Sequence, residues 1–139
     1  LVFKKENRTL IMQIAITNDV KIVVETAYQS ERPNTSEGKY AFAYRISIVN
    51  QGEHTIKLLR RHWHIVDSLD GKSEVEGEGV VGVQPLLEPG EKHQYVSGCI
   101  LGSTMGKMHG TYLMERQFDG KLFEVQIPEF VLTVPFMDN

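Results

Sequence analysis

The chain lacks most of the features that announce a function class. It has one cysteine, Cys99, so no disulfide can close within it, and a lone thiol suits a reducing compartment. It has no apolar run long enough to cross a bilayer. The first ten residues carry Lys4, Lys5 and Arg8, but Gln13, Thr17, Asn18 and Asp19 break the stretch that follows, so it does not read as a secretory signal. Positive charge is not in excess either. Lys and Arg number 15 against 18 Asp and Glu, a net charge of −3, which disfavours a protein built to neutralise nucleic-acid phosphates. The cytoplasm is the expected location. The first residue is Leu1, and residues 1–12 read as an N-terminal extension ending at Met12, a candidate start.

What is present is enough apolar material for one core. In 139 residues, 41% are hydrophobic and 24% charged, the balance of a single folded domain. The apolar pattern has period 2. Tyr40, Phe42, Tyr44, Ile46 and Ile48 alternate with Ala41, Ala43, Arg45, Ser47 and Val49, as in a strand that buries one side against a second layer. An earlier strand is expected over 21–28, and 29–39, with Pro33, Asn34 and Gly38, reads as a loop. Asp70-Gly71 and Asp119-Gly120 supply the positive φ of tight turns. They predict hairpins pairing 55–66 with 72–78 and 110–118 with 121–134. Pro89-Gly90 is a third turn, leading into 92–97. Pro128 falls inside the last strand, where its missing N–H predicts an edge or a bulge. The expectation is an all-β domain, a sandwich of about seven strands in two antiparallel sheets.

Gly77-Glu78-Gly79-Val80-Val81-Gly82 fits the spacing of a dinucleotide-binding fingerprint. That motif works only where a strand precedes it and a helix follows, so that the helix N-terminus faces the pyrophosphate. Here Pro85 would interrupt the helix. No Asp or Glu occurs from Lys92 through Met114, where a ribose-binding acid belongs, and Glu74, Glu76 and Glu78 would repel a phosphate. The glycines read as a close-passing loop, with nucleotide-pyrophosphate binding as the alternative.

Arg60-Arg61-His62-Trp63-His64 is the densest cluster of chemistry-bearing residues. On a strand, Leu59, Arg61, Trp63 and Ile65 share the core-facing side, which turns His62 and His64 outward together, roughly 6–7 Å apart at Cα. Two such histidines can grip a divalent ion such as Co²⁺ or Zn²⁺ weakly, given a third ligand; Glu74 or Glu76 on the hairpin partner could serve. Solvent-facing histidines are the plainer reading. Cys99 would need a base such as His93 or His109 beside it to act as a nucleophile, and reads instead as a buried structural thiol. Glu74, Glu76 and Glu78 share one strand face, which suits a solvated edge. No triad or metallohydrolase spacing appears, so a non-enzymatic protein without a cofactor is expected.

The run from Glu74 to Pro85, then Pro89-Gly90, Tyr95, Ser97-Gly98, Gly106-x-Met108-x-Gly110-x-Tyr112 and the earlier Arg61-x-Trp63, resembles the signature of the ApaG family. The resemblance runs from about Val20 to Phe136 and makes residues 13–139 the ApaG domain. It implies a fibronectin type III-like or immunoglobulin-like sandwich in a bacterial cytoplasmic protein. It further implies kinship with interaction modules at the C-termini of eukaryotic F-box and polymerase-interacting proteins, and an association with cobalt resistance, magnesium efflux and a neighbouring diadenosine tetraphosphate hydrolase. His62 and His64 stand outside the family motif. On this reading a protein partner is expected, a homo-oligomer stays open, and Arg61, Gly77, Gly79, Gly82, Gln84, Ser97, Met108 and Tyr112 form the candidate binding surface.

Overall fold

The computed structural model describes residues 3, 11–30 and 37–135, and among them are nine β-strands and no α-helix. In chain order these are β1 (Met12–Thr17), β2 (Val20–Tyr28), β3 (Tyr40–Asn50), β4 (Ile56–Asp67), β5 (Gly71–Glu78), β6 (Leu86–Leu87), β7 (Lys92–Leu101), β8 (Met105–Arg116) and β9 (Leu122–Thr133). No helix among the described residues is long and apolar enough to cross a membrane.

All pairings are antiparallel. One sheet has the order β1-β2-β3-β7 and the other β5-β4-β8-β9, with β6 paired to the first residues of β4. Removing β1 and β6 leaves β2-β3-β7 facing β5-β4-β8-β9, the seven-strand sandwich expected from the alternation. The two additions escaped the sequence reading for different reasons. In β1 the apolar residues Met12, Ile14 and Ile16 face solvent, and β6 is only two residues long.

The core lies between the sheets. Phe42, Tyr44, Ile46 and Ile48 of β3 are at most 5% exposed, and the rings of Tyr44, Trp63 and Phe130 meet with centroids 5.4–5.8 Å apart in tilted and edge-on geometry. Ala41, Ala43 and Ser47 are buried as well, so β3 is covered on both faces rather than one. The ring of Phe3 lies over the Arg45 guanidinium, which places that residue of the 1–12 extension against this sheet.

Both Asp-Gly hairpins form. Val66 pairs with Lys72 across Gly71, and Glu115 with Leu122 across Gly120. Pro128 does both things expected of it. It lies in β9, an outer strand of its sheet, and the register slips there so that Pro128 and Glu129 oppose His109 alone. A second bulge corrects the predicted faces of β4. Leu59 has no partner in β8, so Leu58 points into the core with Arg61 and Trp63, and Leu59 leaves that face.

Candidate functional site

Strand β4 organises both candidate regions, one beside its inner face and one on its outer face. On the inner side, the Arg61 guanidinium lies across Gly77 and donates to the carbonyls of Glu78 (3.0 Å) and Gly79 (3.1 Å). A Cβ on Gly77 would sit 2.8 Å from Arg61 Nη1, so glycine is what lets the arginine lie flat there. The bulged Leu59 carbonyl accepts from Gly79 N–H and from Gln84 Nε2, both at 2.9 Å. The loop is thus pinned at its start and end to one irregularity in β4.

Between those pins the chain makes a two-residue hairpin turn. Val80 and Val83 exchange backbone hydrogen bonds, and the central residues Val81 and Gly82 have φ of +44° and +78°. Two positive values are the mark of a type I′ turn, in which asparagine or glycine is usual and valine is strained. Gly79 is also positive, at +62°, and a Cβ there would overlap the Val83 carbonyl oxygen at 2.2 Å. A strand end and a β-turn therefore occupy the place of the fingerprint's strand and helix. The N–H groups of Gly79, Val80 and Val83 already donate within the protein, which removes them from any anion nest.

The structure divides the sequence-predicted surface residues. Gly82 and Gln84 are exposed on the loop, whereas Arg61, Gly77 and Gly79 are engaged in holding it. Met108 and Tyr112 are corrected outright, being 1% and 0% exposed in the core. Gly106, Met108, Gly110 and Tyr112 are spaced by two, so they share the inner face of β8, and that spacing was the signal to read. Gly110 permits close strand approach, since a Cβ would fall 2.2 Å from the His62 carbonyl oxygen. Ser97 and Gly98 belong to a strand. They lie in mid-β7 opposite Tyr44 and Ala43, with Ser97 half-buried.

The inner polar groups are built for packing. The hydroxyls of Tyr95 and Tyr112 are hydrogen-bonded, and Ser97 hydrogen-bonds Tyr44. Burial pushes all three phenols above their ordinary range. Burial, and then the charge of Asp67, push the Cys99 thiol up to about 11, the opposite of what a nucleophile needs. His109 cannot serve it as a base, because it stacks on His64 at the outer face of the other sheet.

That outer face carries the second region. His62 is paired with Glu76 and His64 with Glu74 across β4 and β5, and His64 lies opposite His109 of β8. The rings of His62 and His64 stack at 4.5 Å, and those of His64 and His109 at 4.8 Å, in a row of three. His62 Nε2 lies 2.8 Å from Glu74 Oε1 and His62 Nδ1 3.0 Å from Glu76 Oε1, while His64 Nδ1 is 3.4 Å from the same Glu74 oxygen. Of the two glutamates weighed as third ligands, Glu74 lies near both histidines and Glu76 near His62. His109 was not foreseen here; only the β4–β8 register brings it alongside.

Residues 30–116 match the model of the ApaG domain. The chain is 44% identical to the ApaG protein of Anaeromyxobacter dehalogenans over 124 residues, covering 89% of this chain and 97% of that one. It is 43% identical to the ApaG protein of Sinorhizobium fredii over the same length, covering 89% and 95%. A crystal structure of the ApaA protein from Bordetella pertussis superposes with a TM-score of 0.81 at 43% identity, over 86% of this chain and 96% of that chain.

Proposed function

The chain belongs to the ApaG domain family, and on that premise we propose that it is a non-enzymatic binding module that docks another protein through the tip of the glycine loop. One observation carries this reading. Val81 is held at φ +44° while remaining 63% exposed. A β-branched residue in that region costs about 1–2 kcal/mol, and a side chain in solvent gains no packing in return. Strain of this kind is characteristic of positions kept for contact with something else. Val83 (49% exposed) and Leu86 (55%) extend the apolar surface along the same crossing, and the Arg61 and Gln84 anchors keep it rigid before a partner arrives. The partner this fits presents an apolar, shape-matched surface.

The reading as a non-enzyme draws on the raised Cys99 thiol and on the places of its two candidate bases, His109 on the other sheet and His93 six residues away along the extended β7. Because Gln84 supports the loop, the informative substitution is Val81→Asn, which keeps the turn and removes the apolar tip. In affinity capture from the native cell, wild type should retain a specific protein that Val81→Asn and Val83→Asp lose, with both variants folded. Equal retention by both variants would move the docking surface elsewhere.

A further inference from the structure

We propose that the outer face of β4 and β5 binds one transition-metal ion through His62 Nε2, His64 Nδ1 and a carboxylate oxygen of Glu74. The nitrogen and oxygen donors of these three side chains all lie within 4.8 Å of one another. Coordination at about 2.0–2.2 Å to each donor needs only small side-chain rotations, and the side chains are free to make them: His62, His64 and Glu74 are 34%, 41% and 61% exposed. The strands fix everything else. Alternation puts both histidines on one face, and the hairpin register sets Glu74 directly beside His64.

Hydrogen-bond chemistry points the same way. Both ring nitrogens of His62 face carboxylate oxygens, Nδ1 that of Glu76 and Nε2 that of Glu74. A neutral imidazole has one N–H to offer, so one of those contacts is completed only by a second proton or by a cation in its place. With Nδ1–H donated to Glu76, Nε2 presents its lone pair toward Glu74. This is the carboxylate–histidine–metal arrangement that orients a ligand ring and raises its basicity. His109, stacked on His64 at an interplanar angle of 11°, limits how far the second ligand ring can swing.

Two imidazoles and one carboxylate select borderline ions such as Co²⁺, Ni²⁺, Cu²⁺ and Zn²⁺; Mg²⁺ and Ca²⁺ prefer sites built from oxygen alone. The site stands apart from the docking loop, on the opposite face of β4, and neither proposal depends on the other.

Titration of the full chain with CoCl₂, followed by calorimetry and by the visible absorption of bound Co²⁺, tests it. One ion should bind per chain, Zn²⁺ should displace it, and excess Mg²⁺ should not. His62→Ala and His64→Ala should each weaken binding more than tenfold, and Glu76→Gln by about tenfold, the usual effect of removing the group that orients a ligand histidine. Near-UV circular dichroism should show the variants folded; if an alanine variant is not, His64→Gln and Glu74→Gln take its place. Absence of Co²⁺ binding to wild type, undiminished binding to the His62→Ala, His64→Ala double variant, or displacement by Mg²⁺ would each overturn the site.

Discussion

The glycine loop and the histidine face are carried by the same strand, yet they use their polar groups in opposite ways. In the loop, Arg61, Gln84 and the N–H groups of Gly79, Val80 and Val83 all end on carbonyls of the protein itself. The motif that looked most like a ligand site is a device for crossing from β5 to β6. On the histidine face, the polar atoms of His62, His64, Glu74 and Glu76 meet one another, half in solvent, and His64 also stacks on His109. Most family-motif residues here build the scaffold, while two histidines outside the motif, with Glu74 and Glu76 from its first residues, hold the free chemistry.

The sharpest way to break this comparison is Gly79→Ala. Its Cβ would overlap a backbone oxygen at 2.2 Å at a residue with φ +62°, so unfolding in urea should show a loss of about 3 kcal/mol or more. A near-neutral result would mean that the loop is not committed to the fold. A smaller effect is expected at the far end of β4. There Asp67 accepts from Gly102 N–H (2.6 Å), the Ser103 hydroxyl (2.5 Å) and Leu69 N–H (3.0 Å). Burial raises the Asp67 carboxyl, but these hydrogen bonds outweigh it and hold it below its ordinary 3.8. Its contribution is present above that value and is lost as pH falls through the lower folded-state value. Asp67→Asn should cost about 1–2 kcal/mol at neutral pH and flatten the acid side of the stability profile; an unchanged acid limb would show that other carboxylates govern it.

Val81→Asn should go the other way. It creates the Asn-Gly pair that type I′ turns favour, so thermal unfolding should report a gain of about 1 kcal/mol alongside the loss of partner capture. A loss of stability would show that Val81 is not strained. The smallest change belongs to the histidine face. The His62→Ala, His64→Ala double variant should alter stability by no more than about 0.5 kcal/mol, since the contacts it removes are largely open to solvent. A large loss would make these histidines structural.

Much of the fold was legible because it is written in local signals. Period-2 alternation in 40–49, two Asp-Gly turns and Pro128 led to the strands, the hairpins and the bulge in β9. The candidate surface was less legible because membership of a motif does not say whether a side chain is exposed. The spacing in Gly106-x-Met108-x-Gly110-x-Tyr112 already placed them on one face, but nothing local said whether that face was the core. Leu59 was misplaced for a related reason: one unpaired residue inverts the faces of everything before it, and only pairing with β8 reveals it.

By itself the sequence determined an all-β sandwich, the two Asp-Gly hairpins and the outward direction of His62 and His64. These follow from the two-residue repeat of a strand and from turn residues that few conformations satisfy. Only the tertiary structure decided that Arg61 lies on Gly77, that Tyr112 is sealed in the core, and that His109 joins the histidine row. The first lies within the β4–β5 hairpin beside the β4 bulge, and the other two join strands distant along the chain. Their meeting depends on register and on bulges, which are set by how whole sheets pack.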